Sequence, residues 1–150
     1  MNLPRMFQLH LALIASQDIA PTPQGVLYQS MGITSMDIIW ALAVSTHLGM
    51  QGSYNEVHPH VRLENNGYIS GVYYNSMERM SLYAGHRFES GNAGLELGAV
   101  TGYNAFGAVA PYVRGTYDIG NTTIFVAPAG EKWYGETNIG AVIGIEIKIK

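Results

Sequence analysis

The 150-residue sequence predicts an all-β protein, an antiparallel up-and-down β-barrel of about eight strands with a short N-terminal helix or arm. Apolar and polar side chains alternate along segments of about ten residues, as barrel strands require. Asn-Gly and similar pairs separate the segments, and such pairs form tight hairpin turns. Charged residues make up only 13% of the chain, against about 25% in an average soluble domain.

The alternation is clearest in residues 137–150. Five isoleucines fall on one parity of this segment, while glycine, asparagine, glutamate and lysine dominate the other. Successive side chains of a strand point to opposite faces, so the segment forms a ribbon with one aliphatic face. A helix would scatter the isoleucines around its circumference, and β-branched residues disfavour helices. The segment is therefore predicted to be the closing strand.

The N-terminal segment, residues 1–36, is predicted to stand apart from a barrel domain that covers residues 37–150. Arg5 precedes a short apolar run over residues 6–15, which fits either a weak signal peptide or an ordinary short helix. Residues 17–36 contain prolines and glycines with little periodicity, a composition typical of a linker or arm.

The barrel domain is predicted to begin with a short helix over residues 37–40, because Asp37 is a good helix cap. The first strand follows at residues 41–48, where apolar side chains alternate with small or polar ones. The later strands are expected at residues 56–64, 68–75, 80–89, 93–103, 111–119, 122–127 and 137–150.

Turn residues divide these strands regularly. Turns are predicted at Asn65-Asn66-Gly67, Ser90-Gly91-Asn92 and Gly120-Asn121, because asparagine and glycine accept the positive φ angles of tight turns. Pro128 is predicted to end the seventh strand, since proline has no amide hydrogen to donate to a ladder. Short turns thus alternate with longer loops, and such a meander closes most simply as a barrel.

Side-chain size indicates which face of the strands lines the barrel. An eight-stranded barrel has an interior just wide enough for side chains or one small ligand. The isoleucine-rich face is too bulky for that bore, whereas glycine and serine fit, with Glu96, Arg87 and Arg62 pairing across it. The aliphatic face is therefore predicted to point outward, toward membrane lipid. The competing interpretation is a soluble, lipocalin-like barrel with the aliphatic face inside.

Composition excludes several classes of function. The net charge is −3 and the eight lysines and arginines are scattered, so the chain lacks the clustered cations that bind nucleic acid. Without cysteine, it has no disulfide, thiolate nucleophile or cysteine-based zinc site. His58 and His60 share one side of a strand, but no third ligand accompanies them, so no metal or other cofactor is predicted.

Two polar clusters carry the candidate chemistry. Ser45-Thr46-His47 ends the first strand, and Tyr73-Tyr74-Asn75-Ser76 ends the third. In a meander these two strands end at the same rim, so His47 and Ser76 are expected there together. A histidine within hydrogen-bond reach of a hydroxyl can act as general base for acyl transfer. The alternative is a serine bonded to backbone and a histidine in an interior polar network.

Five segments precede the closing strand in a characteristic order: HLGMQGSYNEVHP, YYNSMERMSLYAGHRFE, GLELGAVTGY, VAPYV and IFVAP. In that order they resemble the outer-membrane lipid A palmitoyltransferase family, and short phage-encoded barrel proteins of that kind, over residues 37–150. The resemblance implies an eight-stranded barrel in the bacterial outer membrane, preceded by a short amphipathic helix. It also implies transfer of a palmitoyl chain from a phospholipid to the lipid A of lipopolysaccharide, with an interior pocket that selects chain length.

The resemblance extends to individual residues. His47, which precedes Tyr54-Asn55-Glu56, matches the family's functional histidine, and Asn75-Ser76 matches its Asp-Ser pair. It implies that His47 activates a hydroxyl for attack on a phospholipid ester, while Ser76 and Asn75 position polar groups nearby. Asn75 replaces the family's carboxylate, and the closing strand ends in Ile-Lys-Ile-Lys instead of an aromatic residue. The alternative is therefore a non-catalytic small barrel, for example a phage-encoded one, that binds lipid or a protein partner.

Overall fold

The computed structural model describes residues 35–103 and 107–149. These residues form eight antiparallel strands that pair in chain order, and the last pairs with the first to close a barrel. The predicted fold class is confirmed. The described part of the chain contains no helix that is long and apolar enough to cross a membrane. The strands are β1 (Asp37–Leu48), β2 (Val57–Asn65), β3 (Tyr68–Tyr74), β4 (Met80–Ser90), β5 (Ala93–Thr101), β6 (Val109–Ile119), β7 (Thr122–Trp133) and β8 (Glu136–Ile149).

The predictions of a signal peptide, helix or arm at the N-terminus concern residues 1–36, of which residues 1–34 lie outside the described residues. The prediction of a short helix over residues 37–40 is wrong, because these residues begin β1 and pair with residues 61–64 of β2. Outward-facing Ile38 and Trp40 continue the alternation of the strand. The ladder satisfies backbone groups that a single helical turn would leave without partners.

Prolines lie inside strands at positions where a neighbouring ladder has already ended. The prediction that Pro128 ends the seventh strand is wrong, since β7 continues past it beside β8. The ladder between β6 and β7 stops at the pair Gly115–Val126, so Pro128 removes no hydrogen bond on that side. Pro59 and Pro111 likewise lie beyond the last pairs of the β2–β3 and β6–β7 ladders.

The two ends of the barrel differ. One end, the turn rim, carries the two-residue turns Asn66-Gly67, Gly91-Asn92 and Gly120-Asn121. Asn66 and Gly67 have φ angles of 49° and 80°, the positive values that a tight hairpin turn needs. The opposite end, the loop rim, carries residues 49–56, residues 75–79, the described residues after β5 and before β6, and the two-residue turn Tyr134-Gly135 between β7 and β8. Strands β1 and β3 both end at the loop rim, as predicted.

The aliphatic side chains point outward, as the argument from side-chain size predicted. Ile145 and Ile147 of β8 are 50% and 53% exposed, while Gly144 and Glu146 between them are buried. The same alternation runs along β1, where half-exposed Val44 lies between buried Ala43 and buried Ser45. Bulky apolar side chains thus cover the outside, and small or charged side chains fill the interior.

Buried ion pairs cross the interior of the barrel. Glu96 accepts hydrogen bonds from Arg62 at 2.6 Å and from Arg87 at 3.3 Å, as predicted for these three residues. Glu146 accepts a hydrogen bond from Arg114 at 3.0 Å. A buried charge is costly unless it is paired and hydrogen-bonded. These pairs therefore favour the one register that turns all five side chains inward.

Candidate functional site

A cavity of about 940 Å³ lies inside the barrel toward the loop rim. Residues of the loop rim, among them Met50 and Tyr54, line its mouth. Its volume is within the range of pockets that hold small molecules. Most of the wall is apolar, which suits a hydrocarbon occupant better than a charged one. The apolar wall residues include Ala43, Val100, Ala110, Phe125, Ala127 and Val142.

The floor of the cavity is a hydrogen-bonded polar network. His60 Nε2 lies 2.8 Å from the hydroxyl oxygen of Tyr83, and His60 Nδ1 lies 3.1 Å from Glu146 Oε2. Arg114 donates to the same carboxylate oxygen. The rings of Tyr83 and Tyr112 stack with centroids 4.9 Å apart. These side chains fill the bore below the cavity, so an occupant enters from the loop rim or through the wall.

The cavity wall is open between β6 and β7. Their ladder ends at Gly115–Val126, and beyond that pair β6 continues beside β5 and β7 continues beside β8. Pro111, Val113 and Pro128 alternate with inward-facing neighbours and are exposed, yet all three line the cavity. The interior therefore communicates with the apolar outer surface through this opening, which we call the lateral gap.

His47 lies near the loop-rim end of β1, where it is half-buried and lines the cavity. Its ring stacks on Tyr54, with centroids 4.3 Å apart and planes inclined by 17°. Tyr54 donates its hydroxyl hydrogen to Glu131. Burial, this hydrogen bond and the carboxylate charge of Glu131 raise the pKa of Tyr54 to about 12. The phenol therefore keeps its proton, and with it this hydrogen bond, to a higher pH than an ordinary tyrosine does.

Glu131 also anchors the β1–β2 loop at the loop rim. Its carboxylate accepts hydrogen bonds from the backbone amides of Gln51 at 2.6 Å and Gly52 at 3.1 Å. The side-chain amide of Asn138 donates to it at 3.1 Å. Glu131 lies outside the strands predicted from the sequence, and this role was missed because the contacts join residues far apart in the chain. Glu131 of β7 thus holds the β1–β2 loop, which carries Tyr54, in place.

Ser76 follows β3 at the loop rim and lines the same cavity as His47. Its backbone carbonyl accepts a hydrogen bond of 2.9 Å from the amide of Asn55, which joins the β3–β4 turn to the β1–β2 loop. The structure therefore brings His47, at the end of β1, and Ser76, in the β3–β4 turn, to one cavity at the same rim.

Asn75 is completely buried, and its side-chain hydrogen bonds fix the conformation of the β3–β4 turn. Its Oδ1 accepts hydrogen bonds from the amides of Met77 at 2.8 Å and Arg79 at 3.0 Å. Its Nδ2 donates to Ser81 Oγ at 2.9 Å and to the carbonyl of Gly102 at 3.2 Å. An aspartate here would place a carboxylate oxygen, which cannot donate, next to the carbonyl oxygen of Gly102. The two oxygens would repel each other, which explains why this turn contains an amide.

A second polar pair, Ser45 and His58, lies in the cavity wall. Ser45 Oγ is 2.8 Å from His58 Nε2, and His58 Nδ1 is 2.9 Å from the carbonyl oxygen of Tyr74. Both side chains are buried from bulk solvent and line the cavity. The sequence pattern groups Ser45 with His47 and indicates no role for His58 other than that of a metal ligand. The alternation of β1 and β2 turns both inward, but their pairing depends on the β1–β2 register.

The ring nitrogens of His58 and His60 all have partners within the barrel, so the two rings do not converge on a shared metal position. Across residues 35–103 and 107–149, no group of three or more potential ligand side chains is arranged to hold a metal ion.

No protein-family model, curated protein or solved structure matches this chain. The fold and the site therefore define its class: a closed eight-stranded β-barrel with an interior cavity that is open through the wall.

Proposed function

We propose that the protein is a bacterial outer-membrane barrel that transfers an acyl chain from a phospholipid to an acceptor, with lipid A as the acceptor that the sequence resemblance implies. The observation that carries this proposal is the lateral gap, where the cavity meets the apolar outer surface. An acyl chain in a surrounding membrane reaches the cavity through such an opening without entering water.

The outer surface supports a membrane location. Soluble monomers rarely expose a contiguous apolar patch of more than a few hundred Å², whereas aliphatic side chains surround this barrel. Outward aromatic side chains lie near the turn rim, and membrane barrels carry aromatic girdles at the membrane interface. The two-residue turns of the turn rim, and the longer loops that follow β1 and β3 at the loop rim, resemble the periplasmic and external ends of such barrels. The aromatic residues are Trp40, Tyr68, Phe88 and Tyr117, which are 50% to 69% exposed.

The cavity supports an acyl substrate. An acyl chain that passes from membrane hydrocarbon to an apolar cavity wall leaves one hydrocarbon environment for another, so its insertion exposes no apolar surface to water. His47 and Ser76 lie at the mouth, where the ester of an inserted chain is located. A neutral imidazole at that position accepts a proton from an attacking hydroxyl.

The reaction is tested by incubating the refolded protein in detergent micelles with a dipalmitoyl phospholipid and lipid A. Lysophospholipid and acylated lipid A are then measured by mass spectrometry. We expect both products from the wild-type protein and a rate about 10²–10⁴-fold lower for His47→Ala, which removes the general base. Thr46→Ala is the control, since Thr46 neighbours His47 but faces outward. Full activity of His47→Ala would contradict the role of His47, and absence of product from the wild type would contradict acyl transfer.

The membrane location is tested separately by folding the protein with and without detergent. A barrel with this outer surface is expected to fold and remain monodisperse only in detergent or lipid. A protein that folds and stays soluble in plain buffer would favour the soluble barrel instead.

A second candidate function is a non-catalytic barrel that binds lipid or a protein partner. The observation that favours it is Asn75, whose hydrogen bonds shape the β3–β4 turn instead of supporting His47. In this case a fluorescent phospholipid binds the cavity, while neither lysophospholipid nor acylated lipid A forms.

A further inference from the structure

The polar pair in the cavity wall has the geometry of a nucleophile and its base. Ser45 Oγ and His58 Nε2 are 2.8 Å apart, within the range at which a histidine activates a hydroxyl. Ser45 lies on β1 and His58 on β2, so two adjacent strands hold the pair. The amide of Ser45 donates a hydrogen bond of 2.9 Å to the carbonyl of Glu56, which fixes the serine backbone beside the start of β2.

The hydrogen-bond partners determine which nitrogen of His58 carries the hydrogen. The carbonyl oxygen of Tyr74, 2.9 Å from Nδ1, can only accept, so Nδ1 of His58 is the donor. In the neutral ring Nε2 is then an acceptor, and the hydroxyl of Ser45 donates to it. A general base needs this arrangement. A third group usually orients the histidine ring, and here the backbone carbonyl of Tyr74 does so.

The pair is accessible from the cavity. Ser45 and His58 both line it, together with apolar side chains such as Ala43 and Phe125. Each is less than a tenth exposed, so the pair meets cavity contents and little bulk water. An ester that enters the cavity with its acyl chain therefore meets this hydroxyl where little bulk water reaches it.

We propose that Ser45 is a nucleophile, activated by His58, that accepts an acyl group from an ester bound in the cavity. Oγ of Ser45 attacks the ester carbonyl while its proton passes to His58 Nε2. The bond to the leaving alkoxide breaks, that oxygen takes the proton from His58, and an alcohol and an acyl-serine result. A hydroxyl of water or of a lipid acceptor then attacks the acyl-serine, with His58 again accepting and returning the proton. This inference rests on the proposed function, because it needs an acyl ester in the cavity, and it assigns the proton transfers to His58 in place of His47.

The test uses p-nitrophenyl palmitate as an activated ester, with the refolded full-length chain in detergent micelles. Release of p-nitrophenol is followed, and the protein is analysed by intact mass spectrometry and peptide mapping. We expect p-nitrophenol release that depends on Ser45, with an acyl group on the peptide that contains Ser45. Ser45→Ala should abolish both signals. His58→Asn retains a donor for the Tyr74 carbonyl but removes the base, and we expect a rate about 10²–10⁴-fold lower.

Matched controls separate chemistry from folding. Ser70→Ala and His86→Asn change a serine and a histidine on the outer face of β3 and β4, and both variants should release p-nitrophenol at the wild-type rate. Ser45→Cys keeps a nucleophile at the same position, so its adduct should become a thioester that neutral hydroxylamine cleaves. Folding of each variant is checked by circular dichroism and by the gel mobility of the unheated barrel.

The outcomes distinguish this inference from the proposed function. If Ser45→Ala turns over phospholipid at the wild-type rate while His47→Ala does not, Ser45 is not the nucleophile and the acyltransferase proposal stands. If Ser45 is acylated by the activated ester but no phospholipid is consumed, the nucleophile stands and the phospholipid substrate is wrong. Folded wild-type protein that neither releases p-nitrophenol nor carries an adduct overturns the inference.

Discussion

Arg62 Nη1 lies 2.6 Å from Glu96 Oε1 inside the barrel, and both side chains are almost completely buried. The two residues come from β2 and β5, so the ion pair spans the bore. Arg87 and Arg114 approach the same carboxylate at 3.3 Å and 4.0 Å. The single buried carboxylate of Glu96 thus balances the positive charge of several arginines inside the barrel.

Replacing Glu96 with glutamine is expected to lower the free energy of unfolding by about 3–5 kcal/mol, because buried guanidinium groups then lose their shared counter-charge. Glu89→Gln is the matched control: Glu89 pairs with Arg87 at 2.6 Å, but its side chain is 58% exposed. Exposed pairs contribute about 0–1 kcal/mol. Urea unfolding in detergent, followed by tryptophan fluorescence, compares the two variants, and equal losses would contradict the structural weight given to Glu96.

Asn75→Asp is expected to destabilise the barrel by about 1–3 kcal/mol at neutral pH, the cost of leaving buried groups without partners. The aspartate keeps the acceptor for Met77 and Arg79 but loses the donor to Ser81 and Gly102. Asn92→Asp, in an exposed turn of the turn rim, is the control and should have little effect. The urea midpoints of unfolding give the stability of both variants relative to the wild type. Unchanged stability of Asn75→Asp would mean that the turn tolerates a carboxylate.

Closing the lateral gap is expected to block lipid turnover while leaving the rest of the site intact. Val113 and Pro128 would be partners if the β6–β7 ladder continued beyond Gly115–Val126. The native chain has no cysteine, so Val113→Cys combined with Pro128→Cys gives one defined disulfide. Lysophospholipid release should fall on oxidation and recover with a reductant.

The control for the gap is a disulfide within the existing ladder, from Tyr117→Cys and Ile124→Cys, which are already paired. Its oxidation should leave lipid turnover unchanged. Full activity of the oxidised Val113–Pro128 pair would show that substrate enters by another route.

Alkaline pH is expected to release the β1–β2 loop from Glu131. The pKa of Tyr54 is raised from 10.0 to about 12, so the folded state favours the protonated phenol. The contribution of this hydrogen bond to the free energy of unfolding is complete below pH 10 and is lost as the pH rises through about 12. Stability measured against pH should therefore fall less across this range for Tyr54→Phe than for the wild type. Parallel curves for the two proteins would contradict the assignment.

The strands and tight turns could be predicted because their signals are local. Alternation follows from the geometry of a single strand, and Asn66-Gly67 forms a turn from the φ preferences of its own residues. The outward direction of the isoleucines in β8 also followed from side-chain volume against a narrow bore. The helix at residues 37–40 and the end at Pro128 were wrong, because each depends on whether a neighbouring strand is present.

The sequence by itself determined the barrel, the outward aliphatic face and the rim at which His47 and Ser76 lie. Only the tertiary structure decided that the β6–β7 ladder stops early, that Asn75 is used within its turn, and that Ser45 reaches His58. These features depend on the register between strands, since a shift of one residue would turn each side chain to the opposite face. Register arises from contacts between distant residues, such as Arg62 with Glu96, and no local pattern encodes it.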